Sequence, residues 1–291
     1  EPGAGKTTTV RHTALALAGE AGTRADSRFV GYLPIIARLA KYSRRLQTEP
    51  GLRLAEHLFQ SAGRSEFCPL IKRELAAGRC VVLLDGLDEV EDPLRIAEEI
   101  ESFTASYGTN HIVISSREYA YRRARIGLGF RALTLKPLDS FEHICQFIDR
   151  WYKARDARGA SLRDIEGHPG AEGLKEDLQA RPKLRELAEN PLMLMIIILM
   201  HWRGTMLPSR QIEVYQYATD TLIKYWPCGQ RRPGKDVLRS QPIKKILAPI
   251  AYYVLKGNGL IGEDDLLRRL TEEIVRWKRW EESRAQEMSF R

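Results

Sequence analysis

The first eight residues, Glu1-Pro2-Gly3-Ala4-Gly5-Lys6-Thr7-Thr8, are of the types that wrap a phosphate chain. They fit G-x-x-x-x-G-K-[ST] at every position except the first glycine, which would fall one place before Glu1. Gly3 and Gly5, with Ala4 between them, let the backbone curl so that successive N–H groups turn inward. A helix opening near Lys6 adds its positive dipole end. In such a loop Lys6 reaches the β and γ phosphates, and the hydroxyl of Thr7, followed by Thr8, serves magnesium. A glycine turn capping a helix with Lys6 in water uses the same residues, so the loop alone does not decide.

A second cluster lies in Cys80-Val81-Val82-Leu83-Leu84-Asp85-Gly86-Leu87-Asp88-Glu89. An apolar strand here delivers carboxylates to its C-terminal edge, where open α/β sheets bind ligands. Asp85 is placed to hold magnesium through water, and Asp88 or Glu89 to orient or deprotonate an attacking water. A third piece, Ser115-Ser116-Arg117, ends the next apolar run, so that Arg117 can touch a γ-phosphate and stabilise its charge. A solvated acidic turn and an ordinary strand-end arginine are the alternatives for each taken singly. The order of the three together favours one magnesium–nucleotide site.

Such a site needs a parallel sheet covered by helices. From residue 1 to about residue 153 short apolar runs alternate with amphipathic stretches, the pattern of an α/β sheet with helices on both faces. Strands are expected at Phe29 to Ile35, Cys80 to Leu84, His111 to Ser115 and Ala132 to Leu135, each apolar at nearly every position. Helical spacing joins Leu94, Ile96, Ala97, Ile100 and Phe103, and again Phe141, Ile144, Cys145, Ile148, Trp151 and Tyr152. The phosphate loop of this architecture follows the central strand, so the chain is expected to lack that strand. Beyond residue 153 the strands stop. Ala154 to Gly173 reads as a linker, and helices follow near Lys183 to Ala188, Leu192 to His201 and Gln211 to Trp226. Pro227 to Lys235 reads as another boundary, before helices at Ile243 to Leu255 and Glu263 to Trp280.

Taken together, these motifs resemble the NACHT NTPases, within the STAND class of signal-transducing ATPases, over nearly the whole chain. Gly86-Leu87-Asp88-Glu89 after Asp85 is similar to their Walker B variant, and Ser115-Ser116-Arg117 to their sensor 1. Leu135-Lys136-Pro137-Leu138 and the helix after it are similar to the end of their core. Asn190-Pro191-Leu192 resembles their helical-domain motif, and Leu207-Pro208-Ser209-Arg210 through Tyr215 and Trp226 also fits. The resemblance implies a three-layer P-loop sandwich over 1–153, a helical domain over 154–226 and a truncated start of a winged-helix or second helical domain over 227–291. It implies ATP or ADP with Mg2+ as cofactors and Pro191 against the base, although proline also suits a first helical turn on steric grounds. It further implies a cytoplasmic switch of innate or antiviral defence that hydrolyses ATP slowly. Exchange of ADP for ATP opens such a switch and lets it self-oligomerise. The resemblance further implies an activating ligand read by a C-terminal region and an output from an N-terminal effector domain, both expected outside these 291 residues.

Composition sets the remaining bounds. The chain has 291 residues, 43% hydrophobic, enough for two or three compact units, and a formal charge of +8. Charge of that sign suits acidic partners without choosing among them. Arg122, Arg123 and Arg125, Lys244 and Lys245, Arg268 and Arg269, and Arg276, Lys278 and Arg279 read as solvated helix faces, so nucleic acid is not expected. Cys68, Cys80, Cys145 and Cys228 form no zinc or redox spacing, and the six histidines show no ligand spacing. The longest apolar run, Leu192 to Met200, is too short for a bilayer, which needs about 20 residues. Two rival readings stand beside the ATPase switch: a non-hydrolysing, nucleotide-held scaffold, and a nucleic-acid-dependent P-loop NTPase.

Overall fold

Cys80–Asp85 is buried at all six positions, and the sheet is built around it. Such a run cannot face water on either side, so it takes a strand neighbour at each edge and helices on both faces. The structure, a computed structural model, describes residues 2–19, 27–61, 65–124, 130–157, 170–208, 210–225, 240–257 and 261–289. Three parallel strands stand in the order β1 (Leu33–Arg38), β2 (Cys80–Asp85) and β3 (His111–Ile114). Register runs from Leu33 opposite Cys80 to Arg38 opposite Asp85, and from Val81 opposite His111 to Leu84 opposite Ile114.

The alternation of β2 sorts its side chains between two cores. Cys80, Val82 and Leu84 join the larger one with Leu39, Leu58, Ile71, Leu75, Ile96 and Ile100. Those partners come from α2 (Leu39–Thr48), α3 (Leu54–Ser61), α4 (Cys68–Ala76) and α5 (Pro93–Tyr107). On the other face Val81 and Leu83 meet Val10, Ala14 and Leu17 of α1 (Lys6–Leu17). Each fully buried aliphatic side chain contributes about 1.5–3 kcal/mol, and helices therefore cover both faces. Proline at the first position and Asp92, whose carboxylate accepts from Leu94 N and Arg95 N at 3.1 Å, start α5. His57, buried in α3, is held neutral by desolvation and nearby Arg45, its pKa pushed down to about 4.

The chain divides into two compact units, one of Glu1–Ala154 with Ala188–Met195, the other of Arg155–Leu187 with Ile196–Arg291. Unit 1 also carries α6 (Glu118–Ala124) and most of α7 (Phe141–Asp156). Among its described residues the second unit's regular elements are all helices: α8 (Gly170–Ala180), α9 (Pro182–Ala188), α10 (Pro191–Trp202), α11 (Gln211–Tyr225), α12 (Ser240–Lys256) and α13 (Glu263–Ser289). Helices α9 and α10 each divide between the units, the first giving Ala188 and the second Pro191–Met195 to unit 1. Among the described residues no helix is long and apolar enough to cross a membrane.

Three expectations from the sequence are corrected. Ala132 to Leu135 forms no strand: Leu133 and Leu135 are exposed, and among the described residues no neighbouring backbone forms a ladder with them. Alternating apolar residues specify a strand only where another strand accepts their hydrogen bonds. Strand β1 begins at Leu33 rather than Phe29, because Ser27–Phe29 closes a tight turn in which Tyr32 N donates to Phe29 O at 3.2 Å. Within the expected linker, α7 continues to Asp156 and α8 already starts at Gly170. Residues 158–169 between them lie outside the described residues, as do Glu1, Arg125, His168, Ser209, Trp226, Cys228 and the boundary at Pro227 to Lys235.

Candidate functional site

Three stretches far apart in sequence meet at the C-terminal end of β2. The loop before α1 has Gly3 at φ 78° and Gly5 at φ 88°, left-handed values that side chains resist, which is why glycines stand there. Gly5 is the cap of α1, and its carbonyl accepts from Thr9 N at 2.8 Å and from the Thr9 hydroxyl at 3.1 Å. The helix therefore begins at Lys6, with Thr7 one residue further along its first turn.

Thr7 Oγ1 donates to Asp85 Oδ1 at 3.3 Å, a link between residues 78 positions apart. Asp85, 7% exposed, ends β2. Its Oδ1 also accepts from the Ser115 hydroxyl at 2.5 Å, and Ser115 Oγ in turn accepts from Gly86 N at 2.9 Å. Ser115 N donates to Leu84 O and Leu87 N to Ser115 O, so the residue after β3 is stitched to the turn after β2. Gly86, at φ 83°, makes that turn, and the Leu87–Glu89 segment forms a single 3-10 turn. The acidic cluster is thereby held on backbone that is itself hydrogen bonded.

Arg117 pairs with Asp88 through Nε to Oδ2 at 2.9 Å, and its backbone N donates to Asp88 Oδ1 at 3.2 Å. Both Asp88 oxygens are thus engaged. The Asp88 side chain is 10% exposed against 52% for Arg117, so a mostly covered acid holds the Nε of an exposed arginine. Glu89 is exposed, and among the described residues no hydrogen bond or ion pair ties its carboxylate.

These groups surround a cavity of about 660 Å³, within the usual range for small-molecule sites. Every residue that the sequence singles out lines it: Gly3, Ala4, Gly5, Lys6, Thr7 and Thr8 from the loop; Asp85, Asp88, Glu89 and Arg117 from the strand ends; and Pro191 from the start of α10. Phe147 of α7, with Leu192 and Met195 of α10, adds an apolar wall. The cavity therefore has a charged half, with three carboxylates and two cations, and an apolar half. All these residues belong to unit 1.

Sequence reasoning assigns no role to Ser115, to Asn190 or to the Phe147–Met195 wall. Ser115 is the residue in the strand-end motif that hydrogen-bonds Asp85. Asn190 stands before a proline at a helix start, the signal of a cap. His12 also lines the cavity, although its spacing gave no sign of it. Among the described residues no group of three or more His, Cys, Asp or Glu side chains could hold a metal by itself. A single hydroxyl beside a single carboxylate fits magnesium, which keeps waters and is held by one or two carboxylates plus substrate phosphates. Compared with models of known protein families, the chain matches none, and no curated protein matches it in sequence.

Proposed function

We propose that the chain binds ATP with magnesium in this cavity and belongs to the P-loop NTPases of the NACHT type, acting as a slowly hydrolysing signalling switch. The observation that carries the reading is the meeting of Thr7 with Asp85 at 3.3 Å, at the mouth of a glycine loop that opens a helix. A hydroxyl and a carboxylate from two motifs lie close enough to serve one ion, beside a lysine that lines the same cavity. Chance placement of a solvated acidic turn gives no reason for that convergence.

In this reading the loop's N–H groups and the end of α1 receive the phosphates, and Lys6 neutralises their outer charge. Thr7 and Asp85 would hold magnesium, whose charge would polarise the terminal phosphate. Ser115 orients Asp85 by taking up one lone pair of Oδ1. With Asp88 engaged at both oxygens by Arg117, Glu89 is the carboxylate left to take a proton from water. Arg117, which lines the same cavity, would supply a cation where charge develops on the terminal phosphate. Pro191, Leu192, Met195 and Phe147 offer the base an apolar surface. The basic groups weighed against nucleic acid are in part paired on their own helices: Arg268 with Asp265 and Glu272, and Arg276 with Glu273. That pairing supports the nucleotide reading over a nucleic-acid motor.

The test is binding of labelled ATP with magnesium to Lys6→Ala. Affinity is expected to fall about a hundredfold, the effect of losing a charged contact of up to ~3 kcal/mol. Wild-type affinity in that variant overturns the assignment. Single-turnover hydrolysis that disappears in Glu89→Gln separates a switch from a scaffold that only holds nucleotide. The exchange, opening and self-oligomerisation of a NACHT switch are part of the same proposal.

A further inference from the structure

We infer that Asn190 is a positioning residue for the phosphate loop, clamping Pro2–Gly5 against the first turn of α10; the inference rests on reading the cavity as a nucleotide site. The Asn190 side chain uses both ends of its amide. Oδ1 accepts from Leu192 N at 3.0 Å and Met193 N at 3.4 Å, capping α10, while Nδ2 donates to the carbonyl of Pro2 at 3.0 Å. The opposite orientation of the amide would set an NH2 group against two N–H donors and leave the Pro2 carbonyl facing an oxygen. Chemistry thus fixes which end faces the loop.

Close packing acts in the same direction. A Cβ on Gly3 would lie 2.7 Å from Asn190 Oδ1 and 2.7 Å from Leu192 Cβ. The loop therefore lies closer to the helix start than a side chain at position 3 would allow, and the hydrogen bond from Nδ2 ties it there. At its other end the loop is held by the two donors of Thr9 on the Gly5 carbonyl. Between these anchors lie Gly3, Ala4 and Gly5, whose backbone a phosphate has to find in place. Serine and aspartate cap a helix as well as asparagine does, but aspartate only accepts and a hydroxyl is one atom shorter, whereas the amide puts an acceptor on the cap and a separate donor on the loop. That second function is what the asparagine adds. It also joins the phosphate half of the cavity to the Pro191–Met195 wall, so a ligand engaging one half meets the other already set.

The experiment compares wild type, Asn190→Ser and Lys6→Ala. Serine keeps a helix cap, replaces the amide donor to Pro2 with a hydroxyl one atom shorter and adds no charge beside the phosphates. Three readouts are taken: melting temperature, hydrogen exchange of the loop amides without nucleotide, and affinity for magnesium ATP. The inference expects Asn190→Ser to melt as wild type does, to exchange faster at Gly3–Gly5 and to bind about three- to tenfold more weakly, as the loss of one neutral hydrogen bond gives. Unchanged loop exchange or unchanged affinity in Asn190→Ser overturns it. Lys6→Ala reports separately: if that variant binds as wild type, the nucleotide reading falls, whereas a weakened Lys6→Ala beside an unaltered Asn190→Ser removes the clamp alone. Should Asn190→Ser not fold, Asn190→Asp, an equal cap, carries the exchange measurement, with the same two outcomes.

Discussion

Strand β2 has buried polar groups at both of its ends, and the two ends leave different capacity unused. At its beginning, Asn110 accepts from Cys80 N and donates to the carbonyls of Leu75 and Tyr107, all at 2.9 Å. Beside it Glu74 is held by Arg79 and Arg73, bonds that pull its pKa down to about 2. Burial raises the thiol of Cys80 to about 11, so it stays neutral. Every group there is answered by the protein itself. At the end of β2, Asp85, Asp88, Glu89 and Arg117 line a cavity beside Lys6, and only part of the bonding capacity of the three acids and the arginine is spent on one another. Buried polarity by itself marks no site. Capacity that faces an open space does.

That contrast can be broken at either end. Asp85→Asn is expected to weaken magnesium-dependent nucleotide binding about a hundredfold while leaving the melting temperature near wild type. Binding that persists without magnesium dependence in the wild type would place Asp85 with Asn110 among the structural groups. Asn110→Ala is expected to do the reverse. It strands Cys80 N in the interior, while the carbonyls of Leu75 and Tyr107 each lose one donor but keep Gly78 N and the backbone N of residue 110; the cost is about 1–3 kcal/mol in unfolding free energy, and the folded fraction should bind nucleotide as before. A denaturant titration alongside ligand binding measures both quantities. The smallest effect concerns acid. Because the pKa of Glu74 is depressed in the folded protein, its contribution is present above its unfolded value of 4.5 and is lost as pH falls toward about 2. Glu74→Gln should flatten that part of the stability profile and leave affinity at pH 7 unchanged; a change in affinity would tie the sealed end to the site.

Much of the charged half of this cavity is written in local residue types. The glycine loop, the carboxylates after β2 and the arginine after β3 are each readable because the chemistry needs those types at short spacing. Strand β2 is readable because six apolar residues in succession leave no face for water. What is not readable depends on contacts across long separations. The link from Asn190 to Pro2 spans 188 positions, and nothing at either residue announces it. The engagement of Asp88 by Arg117, 29 positions away, likewise gives two adjacent acids different surroundings, and neither residue announces it. Ala132 to Leu135 shows the opposite failure, since its pattern is that of a strand and its surroundings supply no partner. The start of α8 at Gly170 was hidden by glycines, which suggest a linker even where Leu174 and Leu178 are buried.

The central claim is that the Lys6 loop and the Asp85 cluster act on one bound magnesium nucleotide, and a double-mutant cycle with Lys6→Ala and Asp85→Asn addresses it most directly. Affinity for magnesium ATP is measured in wild type, both single variants and the double variant. If both residues serve one ligand, each single change weakens binding strongly, and the double variant is weaker by clearly less than the product of the two. Single variants that each bind as wild type does, or two losses that multiply as independent sites would, contradict the account.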